Sequence, residues 1–108
     1  LLASKAGHHV DMKATEGDVR VVRNDDANRY ELYVNAELAS IADYRRTGGT
    51  LDIHHTETRD GFRGRGLAAL LIRNVLDDVR ERRLTVVPSC WFVADLIEAN
   101  PEYADLVA

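Results

Sequence analysis

The sequence predicts an α+β fold in which a meander of short strands precedes one long helix, a fifth strand and a second helix. Three observations carry this. Apolar and polar residues alternate from Gly17 to Thr58, the apolar period lengthens to that of a helix after Gly61, and "LTVVP" at 84–88 is a short apolar run.

The first strand is "DVRVVRN", with Val19 and Val21 on one face. The second, "RYELYVN", sets Tyr30, Leu32 and Val34 against Glu31, Tyr33 and Asn35. "LASIADYRR" follows a tight connection as the third, and "TGGT" at 47–50 is a hairpin signal. The fourth strand, "LDIHHTET", puts Leu51, Ile53 and His55 on one face. Short polar links between these strands make the meander antiparallel. From Leu67 to about Arg82, Leu70, Leu71, Val75, Leu76 and Val79 recur at helical spacing, with Asp77, Asp78, Arg80 and Glu81 mostly on the other side. "LTVVP" then reads as a buried strand. Ser89 is a candidate cap for a second helix, "CWFVADLIEA". Asn100-Pro101 ends that helix, with Asn100 a candidate cap for a last turn, "PEYADL". The order is β-β-β-β-α-β-α. A crossover from the fourth strand through the long helix sets the fifth strand parallel to the fourth.

The 108 residues suffice for one domain, expected over 14–108. At 45% hydrophobic and 30% charged, the composition is that of an ordinary globular protein. A net charge of -4 argues against a general nucleic-acid partner, while the local basic clusters at 63–65 and 80–83 suit a small anion. No apolar run approaches the ~20 residues that span a bilayer, so no membrane partner is expected. Cys90 is the single cysteine, which excludes an internal disulfide and suggests a reducing, cytoplasmic compartment. The opening "LLASKAGHHVDM" lacks the charged start of a signal peptide. Residues 1–13 are expected to be a flexible or vector-derived tail, with Met12 a candidate natural start.

The most informative stretch is "GFRGRGLAALL", at the junction of the fourth strand and the long helix. Helix N-termini carry unpaired N–H groups and a partial positive charge. Glycines let an anion approach that backbone closely, and Arg63 and Arg65 can add guanidinium contacts to phosphate. The plain alternative is a solvated basic turn closing the crossover. A P-loop is excluded, because Gly66 is followed by Leu67 and Ala68 instead of Lys and Ser or Thr. Residues 64–69 also fit the dinucleotide pattern G-x-G-x-x-A. Yet the chain is short, strands dominate upstream, and Pro88-Ser89 stands where an acidic ribose ligand is expected.

Read as R-x-x-G-x-A, residues 63–68 resemble the coenzyme A pyrophosphate loop of the GNAT acetyltransferases. The likeness extends to "LDIHHT", "RGRGLAALLI" and "VVPSCWFVADLIEANPEYADL", which together are similar to the small stand-alone GNAT-related N-acetyltransferases over residues 51–106. That family commonly has Val-Pro two residues after its His-Thr pair, where this chain has Thr58-Arg59. The resemblance implies a GNAT-like fold and an acetyl-CoA site. The diphosphate would rest on backbone N–H groups of Arg63, Gly64, Arg65, Gly66, Leu67 and Ala68. The pantetheine arm would run between the splayed ends of the fourth and fifth strands, flanked by Thr56, Pro88 and Ser89. The thioester would sit between His55 and Cys90.

Acetyl transfer to an amine needs a neutral nucleophile, a polarised carbonyl and a proton acceptor. A histidine titrates near neutrality and suits the last role. A thiol could instead take the acetyl group first, and a helix N-terminus favours that chemistry at Cys90. The plain alternatives are a hydrogen-bonded core histidine at 55 and simple packing of Cys90 beside Trp91 and Phe92. His54 points to the opposite face, with Asp52 and Thr56, unless a bulge shifts the register. Adjacent strand residues cannot easily chelate one ion, so no metal is expected. Arg80, Arg82 and Arg83 read as a solvated helix end, and Tyr33 and Tyr44 as strand packing or an acceptor groove. The expected function is acetyl-CoA-dependent N-acetyl transfer to an amine, on a small molecule or a protein lysine. The alternatives are an acetyl-CoA-binding module without turnover and a plain interaction domain.

Overall fold

The computed structural model of the chain describes residues 9–12 and 18–108. Its strands are β1 (His9–Met12), β2 (Val19–Asn24), β3 (Arg29–Val34), β4 (Glu37–Thr47), β5 (Thr50–Thr58) and β6 (Thr85–Val87). The helices are α1 (Leu67–Glu81) and α2 (Trp91–Ala99), with short 3-10 turns at Asp60–Phe62 and Pro101–Leu106. The sheet order is β1-β2-β3-β4-β5-β6. Every neighbouring pair is antiparallel except β5 and β6, which the α1 crossover makes parallel as expected.

One expectation changes at the N-terminus. Residues 9–12, taken as tail, pair with β2 as an edge strand, so the fourth strand of the sequence reading is β5. The rest of that tail, with His8, lies outside the described residues.

The meander turns tightly because its connections are short. Between β3 and β4, Asn35 and Ala36 both take positive φ, at 50° and 69°, the geometry of a two-residue hairpin. Between β4 and β5, Gly48 supplies a φ of 59°. One face of the sheet carries Val21, Tyr30, Leu32, Tyr44, Leu51 and Ile53 into a single core with α1 and α2. From α1, Leu71, Ile72, Val75, Leu76 and Val79 are fully buried there. Each such side chain contributes about 1.5–3 kcal/mol. From α2 come Val93, Leu96 and Ile97, and from the C-terminal turn Tyr103 and Leu106.

The helix pattern is right in outline and wrong at one residue. Asp78, expected on the outer side of α1, is buried. Its carboxylate accepts hydrogen bonds from Tyr30 Oη at 2.7 Å, from Arg23 at 3.1 Å and from Arg82 at 3.1 Å. Three donors offset the cost of burying the charge, which periodicity alone cannot foresee. The caps also differ. Cys90, not Ser89, is the N-cap of α2, and no side chain bonds the free amides there. Asn100 is the N-cap of the last turn as expected, but through its backbone alone, since its Nδ2 donates back to the Leu96 carbonyl at 2.8 Å.

Candidate functional site

Strand β5 is built from two halves with opposite facing. Asp43 of β4 stands across from His55, but the next residue, Tyr44, stands across from Ile53. His54 is therefore an extra residue, a β-bulge, and the alternation restarts after it. Before the bulge, Leu51 and Ile53 point into the core. After it, Thr56 and Thr58 take the core side, where Thr58 Oγ1 meets Ser40 Oγ at 3.0 Å. His55 and Glu57 take the far side, with Nε2 and Oε1 3.3 Å apart. His55 was expected to share a face with Leu51 and Ile53. The bulge overturns that placement, because a one-residue insertion flips every later side chain.

The parallel pairing of β5 with β6 is brief. It joins Thr50, Leu51 and Asp52 to Thr85, Val86 and Val87, and a last bond runs from Cys90 N to Ile53 O at 3.0 Å. Pro88 offers no N–H to extend the ladder. Beyond Ile53 the two strands part, and among the described residues no strand lies beside this edge of β5 over residues 54–58. A cleft of about 700 Å³ opens in the gap.

On one wall of the cleft are His54, His55, Thr56, Glu57 and Thr58. Opposite them are Ser89, Cys90, Trp91 and Phe92, with Arg63 and Ala68 at the end nearest α1. Cys90 Sγ lies 3.5 Å from Thr56 Oγ1, on the core side of β5. His55 and Cys90 thus border one cleft from opposite sides of the strand. Trp91, the single tryptophan of the chain, is 72% exposed at the rim, edge-on to Phe92.

The cleft continues over the glycine loop into a groove bordered by Phe62, Gly64, Gly66, Leu67, Ala68 and Ala69. Gly64 and Gly66 have φ of 80° and 74°, a conformation that costs other residues strain. Gly66 is the N-cap of α1, and no side chain bonds the amides of the first turn. A Cβ at either glycine would meet nothing within 4 Å, so the ground above them is open to an anion. The donor set, free helix amides under open glycine backbone, fits a diphosphate.

The expected site residues divide accordingly. His55, Thr56, Arg63, Ala68, Ser89 and Cys90 border the cleft, while Gly64, Gly66 and Leu67 border the adjoining groove. Arg63 Nε bonds the Thr58 carbonyl at 3.1 Å, which ties the loop to the end of β5. Arg65 sits over the Phe62 ring at 5.6 Å and lines a separate pocket with Val19 and Leu70. Pro88 borders neither cleft nor groove, and acts on the gap through its missing N–H. Sequence reasoning missed His54, Glu57, Thr58, Trp91 and Phe92.

The site is thus a cleft between parting parallel strands that leads onto an uncapped, glycine-flanked helix. Comparison with known proteins gives the family. Residues 29–106 match the family described as GCN5-related N-acetyl-transferase. The chain belongs to that family. It is 30% identical over 87 residues to Protein NATD1 of Mus musculus, covering 79% of each chain. To Protein NATD1 of Xenopus tropicalis it is 40% identical over 52 residues, 48% of each, so the match spans about half of that relative. Among solved structures, a GCN5-like protein from Staphylococcus aureus superposes with a TM-score of 0.60 at 22% identity, covering 92% of this chain and 88% of that one. That last likeness is one of fold.

Proposed function

We propose that this chain is an acetyl-CoA-dependent N-acetyltransferase. The observation that carries the reading is the continuous path from the α1 N-terminus, through the gap between β5 and β6, to His55 and Glu57 on the far side of the sheet. The lone free thiol of Cys90 suits a reducing, cytoplasmic setting.

Acetyl-CoA supplies an acetyl group on a good leaving thiol. The amides of residues 64–68, with the Arg63 side chain, hold the diphosphate. The edge of β5 beyond Ile53 that faces away from β4 holds the pantetheine arm and polarises the thioester carbonyl. His55 accepts the proton that the amine gives up as its nitrogen bonds the carbonyl carbon and the carbon–sulfur bond breaks. With Nε2–H donating to Glu57, the lone pair for that task is on Nδ1. Cys90, across β5, borders the thioester region and is the candidate for a transient acetyl carrier.

The test is release of free CoA thiol with an amine panel, alongside intact mass after incubation with acetyl-CoA. The His55→Gln variant should lose about 10²-fold or more in rate. Full activity in that variant removes His55 as base. A 42-Da adduct, on the order expected for one acetyl group, that disappears in Cys90→Ala assigns the thiol as carrier. Binding of acetyl-CoA without transfer to any amine or protein lysine favours the non-catalytic module.

A further inference from the structure

The bulge that turns His55 to the far side of the sheet sends the later odd-numbered residues there too. Glu57 follows on the same face, and Arg59 leaves the strand end with its backbone N–H fixed to the Ala39 carbonyl at 2.8 Å. Ala39 is itself the extra residue of a second bulge, where β4 slips against β3 between Leu32 and Tyr33. On this far side a cavity of about 210 Å³ is bordered by Arg29, Ser40, Ile41, Glu57 and Arg59. It shares Glu57 with the cleft, so the two spaces adjoin at that residue, whose carboxylate meets His55 from the cleft side.

The cavity is small and unevenly charged. Arg29 gives its Nε to Glu31 at 2.8 Å, an arrangement that leaves its two terminal nitrogens for another partner. The Arg59 side chain is exposed and bonds none of the described residues. Of the acids on this face, Glu31 is held by Arg29, Asp43 stands in register between Arg29 and His55, and Glu57 is engaged at the cleft end by His55. Arg29 stands in register with Asp43 and, beyond it, His55, while Arg59 leaves β5 past Glu57, so the Arg59 guanidinium and the carboxylate–imidazole pair mark the two ends of a dipolar receptor. Guanidinium pairs recognise carboxylate and phosphate through paired donors.

We infer that this cavity is the acceptor pocket, and that the acceptor is a small primary amine carrying an anionic group, held by Arg59 with its amine toward His55. The inference rests on the transferase reading above and adds the substrate class to it. A dipolar molecule satisfies both ends at once. A diamine would set a second positive charge against Arg59, and a plain alkylamine would give that guanidinium no anion to bind.

The experiment separates failure of the pocket from failure of the enzyme. Acetyl-CoA binding is first measured by calorimetry in wild type and in Arg59→Gln, and is expected to be equal. CoA release is then followed with glycine, γ-aminobutyrate, 5-aminovalerate and lysine. The comparison acceptors are 5-aminovaleramide, cadaverine and 3-aminopropylphosphonate. Carboxylate acceptors should be preferred over the amide and the diamine by about 10- to 100-fold in kcat/KM, the range of hydrogen bonds to a charged group. Arg59→Gln should raise KM for the best carboxylate by a similar factor and leave that for cadaverine unchanged. Use of the phosphonate in place of a carboxylate still supports the anionic pocket and names its source. Equal use of 5-aminovalerate and its amide, or an Arg59→Gln variant with unaltered KM, overturns the inference and leaves the transferase standing. Where no acceptor turns over, 5-aminovalerate is titrated into the CoA-saturated protein; binding lost in Arg59→Gln supports the pocket, and no binding overturns it. Absence of acetyl-CoA binding overturns both.

Discussion

At the scale of single residues, the most consequential buried charge is Asp78. It gathers Tyr30, Arg23 and Arg82, and Arg23 also bonds Asp25, which accepts from Tyr44 Oη at 2.8 Å. Burial raises the pKa of Tyr30 far above that of an ordinary phenol, and the Asp78 charge and hydrogen bond raise it further. Tyr44 is raised in the same way by burial and Asp25. In the folded chain both phenols stay neutral where the unfolded chain ionises, near pH ~10. Their contribution is complete below that pH and is lost as pH climbs above it. The urea midpoint should therefore hold steady from about pH 8 to 10 and fall at higher pH. The fall should be shallower in Tyr30→Phe, and an equal slope in both proteins would contradict the link. Asp78 also shows what a helical period conceals. Its position on α1 is flanked by core residues, and only the tertiary neighbours Tyr30 and Arg23 reveal why a carboxylate belongs there.

At the scale of elements, two bulges shape the site. The one at His54 divides β5 into a core half and a cleft half. The one at Ala39 anchors the exit of the same strand through Arg59. Strand positions and helix periods were legible because alternation and 3.6-residue spacing are written in apolar side chains such as Leu32, Val34, Leu71 and Val75. Bulges are not, since an inserted residue leaves composition intact and reverses facing. That is why the glycine loop and Cys90 fell where expected, while His55 came to the other side of the sheet and Glu57 passed unnoticed. A turn offers a direct test of element geometry. Ala36 holds a φ of 69° in the β3–β4 hairpin, strain that glycine avoids. Ala36→Gly should raise stability by up to about 1 kcal/mol, read as a higher urea midpoint with unchanged slope. A lower midpoint would show that the strain is not there to relieve.

At the scale of the whole molecule, the sheet is a partition. Its core side carries α1, the glycine loop and the Cys90–Thr56 contact, and its far side carries His55, Glu57 and the Arg29–Arg59 cavity. The gap between β5 and β6 joins them. Glu31 sits buried on the far side as a fixed part of that wall. Burial alone would raise its pKa, but hydrogen bonds from Arg29, Asn24 and Tyr33 outweigh it and hold the carboxylate below its ordinary value. Among the described residues no helix is long and apolar enough to cross a membrane. The central claim, that the uncapped helix and open glycines receive a coenzyme diphosphate, is tested most directly by titration calorimetry. Acetyl-CoA and S-acetylpantetheine, which lacks the diphosphate, are titrated separately into the wild-type chain. Saturable one-to-one binding of acetyl-CoA, with S-acetylpantetheine weaker by at least about tenfold, is the predicted result. No heat from acetyl-CoA, or equal affinity for the two thioesters, would contradict it.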